Sequence, residues 1–141
     1  MKLATGRAVI LFAFIILCGH VVGMWYLLYG MVWWIDIVLH TLGGAWVAAV
    51  FFYLKNSYAF GMERKMPRWW YIALMLGFVM LIGVLWEWLE YCFDVFFATP
   101  RALMRAQLGL PDTMGDLLAD FIGGLVLGLY IMKSELRRKY A

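Results

Sequence analysis

Charged residues are scarce in this sequence. Only 15% of its 141 residues are Asp, Glu, Lys or Arg, whereas about a quarter are charged in a typical soluble domain. Hydrophobic residues make up 66% of the chain, and the mean hydropathy is +0.83. This composition excludes an ordinary soluble domain. The modest net charge of +3 indicates membrane topology rather than nucleic-acid binding.

Cysteine and serine are also rare. The two cysteines, Cys18 and Cys92, lie in apolar runs, so the sequence predicts neither a disulfide framework nor a zinc ribbon. The only serines, Ser57 and Ser134, fall in segments that we place in the cytoplasm, away from the acidic residues discussed below. The sequence contains no HExxH motif and no glycine-rich phosphate loop. Serine catalysis and the familiar zinc-protease and nucleotide-binding motifs are therefore not indicated.

Long apolar segments dominate the chain instead. Four of them reach about the 20 residues that cross a bilayer as a helix. We predict an all-α integral membrane bundle that forms a single domain over residues 1–141, with transmembrane helices at about 8–29, 32–54, 69–95 and 113–132. Tryptophan pairs at 33–34 and 69–70 open the second and third helices, as expected for an interfacial aromatic belt.

The distribution of Lys and Arg predicts the orientation of these helices. With four spans, the N-terminus, the loop at 55–68 and the C-terminal tail share one side, and they hold ten of the twelve basic residues. The other side holds only Arg101 and Arg105. The positive-inside rule then places both termini in the cytoplasm.

Acidic residues gather at the predicted outer ends of three helices. The stretch 86–94 forms the centre, because Glu87, Glu90 and Asp94 share one helix face. At 1.5 Å per residue, the outer ends of the helices lie roughly 9–12 Å above a layer that holds His40, Glu87 and Asp120, with His20 at a similar depth. A second layer, about one turn further out, holds Asp36, Glu90 and Asp116. We therefore predict one polar site with two layers inside the bundle, among small residues that permit close helix packing: Gly43, Gly44, Ala45, Ala48, Ala49, Gly123, Gly124 and Gly128.

Several carboxylates in a low dielectric cannot all remain charged and unpaired. One solution is a divalent metal ion, because helical bundles build metal sites from carboxylates and imidazole on facing helices. A mixed oxygen and imidazole set favours Zn, Mn or Fe over Mg or Ca. The predicted ligands are Asp36, His40, Glu87, Glu90, Asp116 and Asp120.

Three other arrangements remain open. The acids can share protons in an ion pathway. They can pair with Arg101 and Arg105, with a phosphate or head group between them. They can also act only as helix caps and hydrogen-bond partners, which explains Glu87, Glu90 and Asp120 least well.

The spacing of these residues resembles a known family pattern. The segments are Asp36-Ile-Val-Leu-His40-Thr-Leu-Gly43, Glu87-Trp-Leu-Glu90 and Asp112-Thr-Met-Gly-Asp116-Leu-Leu-Ala-Asp120. They resemble the YjdF-like bacterial inner-membrane proteins and are more distantly similar to the VanZ-like teicoplanin-resistance proteins, over roughly residues 33–130. Asp120 departs from both patterns, which tend to have a small residue and Asn there, respectively. The resemblance implies a small multi-pass protein of the bacterial inner membrane and cell envelope.

These observations leave three functions open. The first is a metal-dependent hydrolase or transferase that acts on a lipid or lipid-linked envelope substrate. In it, Glu87 or Glu90 serves as ligand or general base, and Arg101 and Arg105 bind a phosphate of the substrate. The second is an accessory or resistance protein that binds metal, head group or antibiotic without turnover. The third is a small ion or proton transporter, although the sequence predicts no broken helix and no polar layer on the cytoplasmic side.

Overall fold

A bundle of long helices forms the structure, a computed structural model that describes residues 6–32, 34–58, 67–97 and 105–140, less the side chains at 30, 58, 136 and 138–140. These residues form five helices and no strand: α1 (Gly6–Trp25), α2 (Leu28–Met31), α3 (Trp34–Tyr58), α4 (Arg68–Phe96) and α5 (Leu110–Tyr140). All except α2 are long and apolar enough to cross a membrane. The predicted all-α bundle of four spans is confirmed, whereas the cytoplasmic location of the termini stays a prediction.

The first span is shorter than the predicted helix at 8–29. Helix α1 ends at Trp25, and Leu27 has φ 55°, in the left-handed region that L-residues other than Gly, Asn and Asp rarely adopt. The chain then resumes as the single turn α2. This break turns Tyr29 back onto α1, where a Cβ atom on Gly23 would lie 2.9 Å from the Tyr29 ring.

The last span is longer than the predicted helix at 113–132. Gly109, with φ 121°, ends the preceding segment, and α5 begins at Leu110 and continues through the basic tail. Pro111 is tolerated in the first turn because the backbone N–H groups there have no partner within the helix. Asp112 and Asp116 therefore lie inside α5 rather than at its cap.

Helices α3 and α5 form the closest pair in the bundle. A Cβ atom on Gly44 would collide with the backbone carbonyl of Asp120, and one on Gly123 would collide with the carbonyl of Thr41. Only glycine permits two helix backbones to approach this closely. The predicted packing role of these glycines is confirmed, and the close approach brings α3 and α5 side chains into direct contact.

The core of the bundle has two different halves. We call the end at which α3 and α5 begin and α4 ends the site end. Towards the other end the core is apolar, with Phe52, Met75 and Val79 fully buried. Towards the site end it buries six ionisable side chains, each at most 9% exposed: Asp36, His40, Glu87, Glu90, Asp116 and Asp120.

Candidate metal centre

The buried ionisable residues at the site end are the six that the sequence predicts as metal ligands. Helix α3 contributes two of them, α4 two and α5 two, and each pair is separated by three or four residues along its helix. That spacing keeps both members of a pair on one helix face. Three facing stripes therefore meet in one cluster, although their role as ligands stays a prediction.

His40 lies at the centre of this cluster. Its Nε2 is 3.7 Å from Asp36 Oδ1 and 4.0 Å from Glu87 Oε1. Its Nδ1 is 3.3 Å from Asp120 Oδ2. A carboxylate on one ring nitrogen fixes the orientation of an imidazole whose other nitrogen binds a metal. Asp120 lies at Nδ1, and Nε2 faces Asp36 and Glu87.

Two sets of side chains in this cluster have the spacing of metal ligands. One set is His40, Glu87 and Glu90, and the other is Asp36, His40 and Asp116. Within each set the ligand atoms lie within 4.8 Å of one another. Two ligands of a single zinc ion are at most about 4.4 Å apart, since each lies about 2.0–2.2 Å from it. Small side-chain rotations would therefore bring either set onto one ion.

Glu87 is the least satisfied residue of the cluster. Its Oε2 accepts a hydrogen bond from Gln107 Nε2. Its Oε1 has no hydrogen-bond partner and is the only buried side-chain oxygen or nitrogen in that condition among the described residues, on a side chain that is 5% exposed. An unsatisfied buried acceptor costs about 1–3 kcal/mol, and more when it is charged. A bound cation is one group that would offset this cost.

Residues 105–109, which directly precede α5, are held at the site end by hydrogen bonds to two further carboxylates. Asp94 accepts hydrogen bonds from the backbone N–H groups of Ala106 and Gln107, each at 3.0 Å. Asp112 accepts one from Leu108 N, also at 3.0 Å. These bonds bring Gln107 Nε2 to Thr113 Oγ1, at 2.6 Å, and to Glu87. Asp94 and Asp112 therefore position the loop and are not part of the buried cluster.

Comparison with known proteins gives one finding. Over residues 1–136 the chain matches the model of a family described as predicted membrane protein (DUF2238). The chain belongs to this family. No curated protein and no solved structure matches it. Membership agrees with the four spans and with the resemblance to YjdF-like proteins, whereas the likeness to VanZ-like proteins and the inner-membrane location stay predictions.

Two aromatic residues that the sequence did not assign to the site, Trp86 and Tyr29, also make hydrogen bonds there in this DUF2238 protein. Trp86 Nε1 donates a hydrogen bond to Glu90 Oε1 at 2.9 Å. The edge of the His20 ring packs against Trp86, with centroids 5.3 Å apart, and His20 Nδ1 is 2.7 Å from the Tyr29 hydroxyl. Trp86 precedes Glu90 by four residues, which is a sequence signal for a shared helix face. His20 thus borders the cluster without belonging to either ligand set.

Tyr29, on α2, lies beside the polar cluster. Burial, and then the negative charges of Asp36, Glu90 and Asp116, raise the pKa of its hydroxyl. The hydroxyl therefore stays protonated and remains available as a hydrogen-bond donor. No sequence pattern predicts this placement, because it depends on the left-handed turn at Leu27.

Of the two predicted phosphate-binding arginines, only Arg105 is described, and it does not join the buried cluster. Arg105 is exposed, and Arg101 lies outside the described residues. In the described segments, His40 is the only basic side chain within 4.0 Å of the five buried carboxylates. Arg105 therefore does not pair with these carboxylates, whereas pairing with Arg101 stays a prediction.

Proposed function

We propose that this membrane protein binds one divalent metal ion among His40, Glu87 and Glu90 and uses it to act on a lipid or lipid-linked envelope substrate. The observation that carries the proposal is Glu87 Oε1, which is buried, has no hydrogen-bond partner and lies 4.0 Å from His40 Nε2. An imidazole among carboxylates favours Zn, Mn or Fe.

The arrangement supports a single ion rather than two. Both ligand sets include His40, and one imidazole nitrogen binds one ion. The second nitrogen faces Asp120 at 3.3 Å, so we assign Asp120 to orienting the ring rather than to ligation. Asp36 and Asp116, which form the other candidate set with His40, would then lie next to the ion and would bind it or accept protons.

Catalysis at this centre would use its carboxylates in different ways. A divalent ion supplies Lewis acidity and lowers the pKa of water. Glu87 would bind the ion through Oε1, because Oε2 already accepts a hydrogen bond from Gln107. Glu90 Oε1 accepts a hydrogen bond from Trp86, and the second oxygen of Glu90 would bind the ion or accept a proton as general base. A phosphate of the substrate would reach Arg105 only at the exposed rim of the site, and the predicted contact with Arg101 lies outside the described residues.

The geometry also fits a protein that binds metal or a head group without turnover, because the same ligands serve both functions. It supports a transporter less well. The polar cluster is confined to the site end, and the core beyond it is closed by the fully buried side chains Phe52 and Met75. An ion path across the bundle would need polar groups there.

Elemental analysis of the detergent-purified protein tests the metal centre. We expect about one metal equivalent per chain in the wild type, almost none in His40→Ala and a reduced content in Glu87→Gln. Glu135→Gln is the matched control, because this carboxylate pairs with Lys55 far from the cluster and is 46% exposed. Unchanged metal content in both site variants would falsify the proposal.

A second measurement separates enzyme from binder. Metal-loaded protein is incubated with total envelope lipids, and the lipids are analysed by mass spectrometry. Products formed by the wild type but not by His40→Ala support the enzyme. Bound metal without any product supports the binding function instead.

A further inference from the structure

A cavity of about 230 Å³ lies beside the candidate metal centre, between α1, α3 and α4. Its α1 wall is formed by Ala13, Ile16, Leu17 and His20, whose spacing places them on one face of the helix. On α3 and α4 the wall runs from His40 and Glu90 to Val47 and Val79. The cavity therefore has one end at the buried carboxylates and the other in the apolar half of the bundle.

The lining changes from polar to apolar along the helix axes. On α4, Glu90 and Val79 are separated by about 16 Å at 1.5 Å per residue, and on α3, His40 and Val47 by about 10 Å. Between these levels the wall consists mainly of apolar side chains, including Ala13, Ile16 and Ile82. The polar residues of the lining, including Tyr29 and Asp36, collect at the site end.

We propose that this cavity holds one hydrocarbon chain of a bilayer lipid whose polar head group lies at the metal centre. The inference rests on the proposed function and specifies how its substrate binds. An apolar cavity of roughly 150 Å³ is large enough to take up benzene, so the volume here accommodates part of a lipid chain. The apolar wall disfavours a hydrated ion, and the carboxylate end disfavours a purely apolar guest. An amphiphile satisfies both ends.

The side of the bundle between α1 and α4 provides a route for such a lipid. Helix α1 packs mainly on α3, and its contacts with α4 are sparse. A second cavity, of about 390 Å³, lies between the last turns of α1 and α4 and shares His20, Trp86 and Glu90 with the first. The two cavities thus adjoin one another along the seam between these helices, and a lipid would enter sideways from the bilayer.

Photolabelling tests the proposal on the full chain. The probe is phosphatidylglycerol with a diazirine halfway along one acyl chain, added to metal-loaded protein in lipid nanodiscs, and adducts are mapped by mass spectrometry. We expect adducts on cavity-lining residues such as Val47 and Val79. Ile16→Trp should lower these adducts about tenfold by filling the cavity.

The neighbouring residue gives a matched control. Ile15 precedes Ile16 on the same helix, is 56% exposed and does not line the cavity, so Ile15→Trp should leave labelling unchanged. Ala13→Phe, on the same wall as Ile16, serves as a second cavity-filling variant if Ile16→Trp fails to fold. Equal labelling in cavity-filling and control variants, or adducts confined to lipid-facing residues, overturns the lipid-chain proposal.

The metal content of the same samples separates this proposal from the proposed function. If the protein retains its metal and Ile16→Trp is labelled as strongly as the wild type, the lipid-chain proposal alone is overturned. Labelling that depends on Ile16 in a protein without metal supports the chain-binding cavity and overturns the metal centre. The lipid-chain proposal is also overturned if metal content and labelling both fall in His40→Ala while neither falls in Ile16→Trp.

Discussion

The two ends of α3 show how differently one helix is used within the same bundle. Near its start, Asp36 and His40 face carboxylates from α4 and α5. Near its end, Phe52 is fully buried in an apolar core with Met75. In a bilayer, helices of the apolar half associate through packing, because their side chains leave lipid rather than water. The polar half must bury charged groups, which costs free energy. The polar half is thus costly for the fold, which argues that its residues serve a function.

Loss of packing in the apolar half should give the largest change in stability. Phe52→Ala removes a fully buried ring, and such a truncation lowers the free energy of unfolding by about 3–5 kcal/mol. The metal content per folded chain should not change, since Phe52 is remote from the ligands. Thermal unfolding monitored by tryptophan fluorescence, together with elemental analysis, measures both. Metal loss in this variant would show that the halves are not independent.

Both halves depend on the approach of α3 to α5 at Gly44. Gly44→Ala places a Cβ atom on the Asp120 carbonyl, and we expect it to destabilise the protein by about 3 kcal/mol, the upper end for overpacking. Gly77→Ala is the matched control, because its Cβ meets no atom within 4 Å and alanine is the better helix former. Equal unfolding temperatures for the two variants would contradict this account of the α3–α5 contact.

The orienting role of Asp120 predicts a smaller effect, confined to the polar half. Asp120→Asn should weaken metal binding about 10–100-fold, the usual consequence of changing the partner of a metal-bound imidazole. Competition with a chelating dye measures the affinity, and Glu135→Gln again serves as the control. A complete loss of metal would instead indicate that Asp120 is itself a ligand, and an unchanged affinity would remove it from the site.

The smallest predicted effect has the opposite sign to that of Phe52→Ala. In metal-free protein, Glu87→Gln removes a buried carboxylate whose Oε1 has no partner. The free energy of unfolding should rise by about 1 kcal/mol, the lower end of the cost of an unsatisfied acceptor. Denaturation with and without chelator checks it. Destabilisation of the metal-free variant would mean that Glu87 supports the fold.

The sequence predicts the four spans from the lengths of the apolar runs. It predicts the six clustered residues from their depths along the helix axes. Apolar runs of about 20 residues define the helices, and a fixed rise per residue places His40, Glu87 and Asp120 at matching levels. The depth of a side chain along a regular helix can be calculated without knowing the conformation of the loops. The prediction therefore succeeds for those parts of the molecule in which the helical period continues without interruption.

Features that depend on irregular backbone could not be predicted in the same way. Leu27 carries no sequence signal for a left-handed turn, yet that turn places Tyr29 at the site. Gln107 reaches Glu87 only because Asp94 binds the loop backbone. The sequence also does not show which face of α1 lines the cavity, because residues that face lipid and residues such as Ile16 that face the cavity are equally apolar.

X-ray absorption at the metal edge tests the central claim most directly. The spectrum of the metal-loaded protein in lipid nanodiscs should show one imidazole nitrogen among oxygen ligands, at about 2.0–2.2 Å for zinc. The imidazole contribution should disappear in His40→Ala. A wild-type spectrum without imidazole, or one that His40→Ala leaves unchanged, would contradict a metal centre at His40, Glu87 and Glu90.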